Sequence, residues 1–99
     1  MSEYRLSRLA REDLRDIATR IAEDDPARAA IFIEALLAKI EWVAANPRLY
    51  RSRTNGEGGM RLARHQRYFI MFAAGDQQVE ILRVIPTSRD LDAILDDIQ

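Results

Sequence analysis

Apolar residues recur along this chain in two registers, a helical one through the first half and a strand-like one through the second. Residues 3–7, "EYRLS", alternate polar and apolar and predict a short strand. Ser7 is a good N-cap for a helix beginning at Arg8. Ala10, Leu14, Ile17, Ala18 and Ile21 then fall at i, i+4, i+7, i+8 and i+11, a single helical stripe. Glu12 and Asp13 are expected to favour that helix's N-terminus electrostatically. "EDDPARAA" breaks the pattern. Asp25 can cap and Pro26 suits a first helical position, so a second helix is predicted from there to about Ala45, where "ANP" ends it. It carries one stripe through Ala29, Ile33, Leu36, Ile40 and Val43 and another through Ile31, Ala35, Ala38 and Trp42. A helix apolar over more than half its circumference is expected to pack on both its neighbour helix and a sheet. The short link predicts an antiparallel helical hairpin.

Residues 47–59, "PRLYRSRTNGEGG", read as a loop. "MRLARH" and "RYFIMFAA" read as strands, with Tyr68, Ile70 and Phe72 on one face and Phe69, Met71 and Ala73 on the other. "AGDQ" is a turn, and "QVEILRVI" (78–85) a further strand, so consecutive hairpins are the simplest connection. Leu91, Ile94, Leu95 and Ile98 predict a short acidic C-terminal helix, marginal on its own. The order β-α-α-β-β-β plus a helix implies an α+β fold: a helical hairpin on one face of an antiparallel sheet, with the first strand added at an edge or inside.

Composition narrows the possibilities. Ninety-nine residues predict a single domain, 1–99, with one modest core. The absence of cysteine excludes disulfides and thiolate chemistry. No apolar run approaches the length of a membrane span, and the N-terminus lacks a secretory h-region, so a cytoplasmic protein is expected. One histidine and no cysteine leave only carboxylates for a metal, and no metal-binding spacing exists; neither metal nor cofactor is expected. The net charge of −1 conceals an asymmetry: residues 48–67 hold six arginines (48, 51, 53, 61, 64, 67) against Glu57. Fourteen of the fifteen basic residues are arginine, whose planar fork matches carboxylates and phosphates. The basic segment therefore suits an acidic partner, or is simply a solvated loop.

Candidate chemistry is sparse. His65 is the one side chain that ordinarily titrates near neutrality, and it stands between Arg64 and Arg67. A phosphodiester-cleaving site could draw on Arg61, Arg64, Arg67, Arg83 and Arg89 for charge, and on Tyr68, His65 and Glu80 for proton transfer. The same residues read equally well as sheet-edge and surface groups. Trp42 and Tyr50, beside arginines, have the character of interface anchors or of core-edge residues. Asp24 and Asp25 read as a cap, not a catalytic dyad. "NGEGG" lacks the Lys-Ser/Thr of a phosphate loop.

Taken in order, "YRLSRLAREDLRDI", "DPARAAIFIEALLAKIEWVAANPRLYR", "MRLARHQRYFIMF", "VEILRVI" and "SRDL" resemble ParE-type toxins of the ParE/RelE toxin–antitoxin superfamily, over roughly residues 3–95. The resemblance implies a type II toxin that inhibits DNA gyrase, without enzymatic activity and without direct specific DNA binding of its own. It would be neutralised by a ParD-like antitoxin with a ribbon-helix-helix head and an acidic tail. Ile31, Trp42 and Tyr50 would be apolar antitoxin contacts, Arg51, Arg53 and Arg64 charged ones, and Arg83 and Arg89 target contacts. The alternatives are a RelE-like ribosome-dependent endoribonuclease using Arg61, His65, Tyr68 and Arg89, or a non-toxic antitoxin-binding relative. RelE-type nucleases carry an arginine where this chain has Phe69, and a tyrosine near the C-terminus where this chain has none; only Arg89 of that set is retained. The chain also departs from the usual ParE pattern at Tyr50, at Met71-Phe72 and at Pro86-Thr87-Ser88 before Arg89. Arg89 is expected to pair with Asp90, Asp92 or Glu80, or with a carboxylate on a partner.

Overall fold

The computed structural model describes residues 3–53, 59–75 and 77–89. In chain order these form β1 (Tyr4–Leu6), α1 (Arg8–Asp24), α2 (Pro26–Ala45), a single 3₁₀ turn (Pro47–Leu49), β2 (Met60–His65), β3 (Tyr68–Ala74) and β4 (Val79–Pro86). The expected C-terminal helix lies outside the described residues. Ser7 caps α1, its hydroxyl accepting from the Ala10 N–H, and Asp25 caps α2 by accepting from the Arg28 N–H. Both are short polar side chains able to satisfy an otherwise unpaired first-turn donor.

The sheet has the order β1-β4-β3-β2. The β2-β3-β4 meander is antiparallel, as its short turns require. The outer strand differs from expectation: β1 runs parallel to β4, Tyr4 opposite Val79 and Leu6 opposite Ile81, so the sheet is mixed. The reason is topological. The helical hairpin, β2 and β3 all lie between β1 and its partner, so no turn constrains their relative direction. Between β2 and β3, Gln66 takes a φ of 54°, the left-handed conformation that tight hairpins demand.

The hairpin covers one face of the sheet. Ala10 and Ile17 of α1, Leu36, Ile40 and Val43 of α2, and Ala63, Ile70, Phe72, Ile81 and Val84 of the strands form the main core. The opposite face carries a smaller cluster, Met60, Met71 and Ile85 with Leu62, Phe69 and Leu82. The alternation expected for β3 holds: Ile70 and Phe72 face the helices, Phe69 and Met71 the other side. The β3–β4 register slips between Met71, opposite Arg83, and Phe72, opposite Ile81, leaving Leu82 as an inserted residue.

β1 covers only the first part of β4. Beyond it, α1 completes the edge. The Ser7 N–H donates to the Ile81 carbonyl (2.9 Å) and its hydroxyl to the Leu82 carbonyl (2.7 Å). Asp13 accepts from the Val84 N–H (2.9 Å) and grips Arg83 with both carboxylate oxygens (2.8 and 2.9 Å). Asp13 is therefore a clamp between helix and sheet, not the helix-terminus charge its position suggested; the first turn of α1 holds no acidic residue.

Candidate partner-binding surface

Among the described residues the second apolar stripe of α2 is largely uncovered. Ile31 is 67% exposed and Trp42 47%, and Ala35 and Ala38 between them are also exposed. As expected, α2 packs on both its neighbour helix and the sheet, and it does so through the Leu36–Ile40–Val43 face. Small residues between two large apolar ones leave a smooth face along the helix, which a second helix can approach closely. Such an uncovered face on a small protein is a candidate interaction site.

At its C-terminal end the stripe runs into an aromatic ladder. Trp42 meets Tyr50 edge-on (6.4 Å between centroids), and Tyr50 meets the buried Phe72 in the same manner (5.7 Å). Lys39 Nζ stands 5.2 Å from the Trp42 ring centre, a cation–π contact. Leu49, 69% exposed, extends the apolar surface past the helix; its place in a loop gave no periodic clue to this role. Tyr50 is half-buried and tied to the sheet, because Arg61 donates to its carbonyl oxygen. Arg51 and Arg53 are exposed next to it. The Arg53 N–H donates to the Met60 carbonyl, and Ser52 bridges Arg61, which pins this segment along part of the outer β2 edge. The structure thus gathers Ile31, Trp42, Tyr50, Arg51 and Arg53 along α2 and its exit. Arg64 lies further along β2, its Nε donating to the Gln66 carbonyl (2.9 Å).

Of the candidate ribonuclease residues, His65 and Tyr68 come together as cross-strand partners whose rings both meet Phe32, whereas Arg89 stands apart. Arg61 and His65 share with Ala63 the helix-facing side of β2, and Arg61 is engaged with Tyr50. The His65 ring packs on Phe32 (5.9 Å) with its Nε2 buried and without a partner among the described residues. Burial, and secondarily Lys39, lowers its pKa below the ordinary histidine value, so it is poised as a neutral group. Tyr68 lines a cleft against α2, whereas Arg89 lines another beneath α1 with Asp13, Asp16 and Arg20. Phe69, where the nucleases have arginine, packs in the apolar cluster of the opposite face. Glu80, one expected partner of Arg89, instead faces Arg5 across the β1–β4 pair (3.9 Å); Asp90 and Asp92 lie outside the described residues. Arg83, read as a target contact, is held by Asp13, with only 14% of its side chain accessible. Among the described residues no cluster of three acidic or histidine side chains could hold a metal ion.

The model of the family described as "ParE toxin of type II toxin-antitoxin system, parDE" matches residues 4–91. The chain belongs to the ParE toxin family. A solved structure titled "Chromosomal ParDE TA system from P. aeruginosa" shares the ParE fold seen here, with a TM-score of 0.72 at 17% identity over 87% of this chain and 96% of that one. No curated protein sequence matches. The ParE assignment covers both the helical hairpin and the whole sheet, so the surface on α2 is part of the family domain and not an appendage to it.

Proposed function

We propose that this ParE-family chain is a non-enzymatic toxin that inhibits DNA gyrase in the cytoplasm and is silenced by a ParD-like antitoxin folding onto it. The observation that carries the antitoxin half is the uncovered face of α2. A partly disordered acidic antitoxin tail gains order by burying its own apolar residues on Ile31 and Trp42, and gains charge pairing at Arg51, Arg53 and Arg64. The non-enzymatic half is supported by the separation of Arg89 from His65 and Tyr68, and by Phe69, which supplies no charge where a nuclease would need it.

The purified chain is expected to block supercoiling of relaxed plasmid by gyrase, and the co-encoded antitoxin to restore it. Normal supercoiling at saturating toxin rules the reading out. Mapping mRNA ends after induction separates the ribonuclease alternative, which produces codon-positioned cuts; growth unaffected by induction without antitoxin identifies the non-toxic one.

A further inference from the structure

A cleft of about 630 Å³ opens where the helical hairpin meets the β2–β3 turn, away from the Trp42 end of α2. Its apolar floor is Ile21 of α1, Phe32 of α2 and Tyr68 of β3. All three pack against the main core, and the Phe32 and Tyr68 rings meet at 5.7 Å, so this floor is formed in advance of any ligand. Three guanidinium groups from separate elements rim it: Arg28 from the first turn of α2, Arg64 from the end of β2, and Arg67 from the turn. All three are exposed, and none has a carboxylate within ion-pair distance among the described residues. The hydrogen bond from Arg64 Nε to the Gln66 carbonyl holds one of them in place. Three arginines around a preformed apolar floor present a surface complementary to an anionic group that carries an apolar side chain beside it.

The surroundings discriminate between anions. Glu23, Asp24 and Asp25 are exposed at the helical turn between Ile21 and Arg28. Asp25 lies against the Arg28 N–H, so a continuous polyanion extending past Arg28 is disfavoured there, whereas one carboxylate beside an apolar side chain needs only the floor and the arginines. The cleft also continues the α2 surface, because Arg28 and Phe32 lie on the flank of the Ile31–Ala35–Ala38–Trp42 stripe.

We infer that the cleft receives an acidic peptide segment of the partner protein, one apolar side chain seated on Ile21, Phe32 and Tyr68 and a neighbouring Asp or Glu engaged by Arg28 and Arg67. This rests on the reading that the chain has a protein antitoxin. The cleft is then a second anchor, reached by the same partner that covers α2.

The test uses the full chain and its co-encoded antitoxin. The Arg28→Ala/Arg67→Ala double variant is expected to bind about 10- to 100-fold more weakly, the loss of charge-assisted hydrogen bonds, with an unchanged melting temperature. Arg67→Lys should recover part of the loss, and Arg11→Ala, on exposed α1 surface, should bind like the wild type. A double variant that binds within twofold of wild type overturns the inference while leaving the antitoxin reading intact. A wild-type chain that fails to bind the antitoxin overturns both. Binding of a twelve-nucleotide single strand that the double variant abolishes, with antitoxin affinity retained, overturns it in favour of nucleic acid.

Discussion

Asp13 shows how much one side chain can decide in a small domain. Its two oxygens accept from Arg83 and from the Val84 backbone, next to the residue that slips the β3–β4 register. Removing it takes a bidentate partner from a largely buried guanidinium and the acceptor from an edge N–H together. Asp13→Ala is therefore expected to lower unfolding free energy by about 2–4 kcal/mol, read from urea denaturation at unchanged m-value. Arg83→Ala carries a similar penalty, so a loss of toxicity in that variant reports on folding before it reports on a target contact. His65 makes a second residue-level case. Its folded pKa lies below that of the unfolded chain, so the unfolded state takes up the proton first. Its contribution to stability is full above the unfolded value of 6.5 and declines as the pH falls toward the lowered folded value. The stability advantage of wild type over His65→Gln should thus shrink between pH 7.5 and 5.5, measured by paired thermal melts. An advantage that grows on acidification contradicts the assigned burial.

At the scale of the element, α2 carries the functional argument. Periodicity made both of its apolar stripes legible, and Ala29, Leu36, Ile40 and Val43 are buried as their spacing indicates. The same periodicity could not say what covers the second stripe, because an apolar face reads identically whether its partner is another part of the chain or another molecule. Exposure separates the two. Trp42→Ala removes a ring nearly half in solvent, so the stability change should stay under about 1 kcal/mol. Antitoxin affinity should fall about tenfold or more by calorimetric titration, the usual mark of an aromatic anchor. Equal affinity for variant and wild type would remove Trp42 from the interface. Within α2, Arg28 and Phe32 lie at helical spacing beside the apolar stripe; that spacing is present in the sequence, but only the approach of the β2–β3 turn makes a cleft of it.

At the scale of the molecule, charge has a geography that the net value of −1 hides. The arginines of residues 48–67 follow the exit of α2 and the β2 edge strand, beside the apolar face. An acidic partner is steered to such an edge, so the association rate is expected to fall steeply between 50 and 300 mM salt while dissociation changes little. A salt-independent rate in stopped flow argues that this edge is not where the encounter occurs.

The sequence by itself determined the types and order of the described strands and helices, the cap residues Ser7 and Asp25, the two faces of β3, and the absence of cysteine chemistry. All of these rest on local rules: periods of 3.6 and 2, side chains that cap the nearest backbone, and composition. Only the tertiary structure decided that β1 pairs parallel with β4, that Asp13 clamps Arg83 across 70 positions, that Arg89 falls away from Tyr68, and that Arg28, Arg64 and Arg67 rim one cleft. Each of these joins residues distant along the chain. Local pattern carries no information about which distant surfaces meet; the packing of the hairpin on the sheet supplies it.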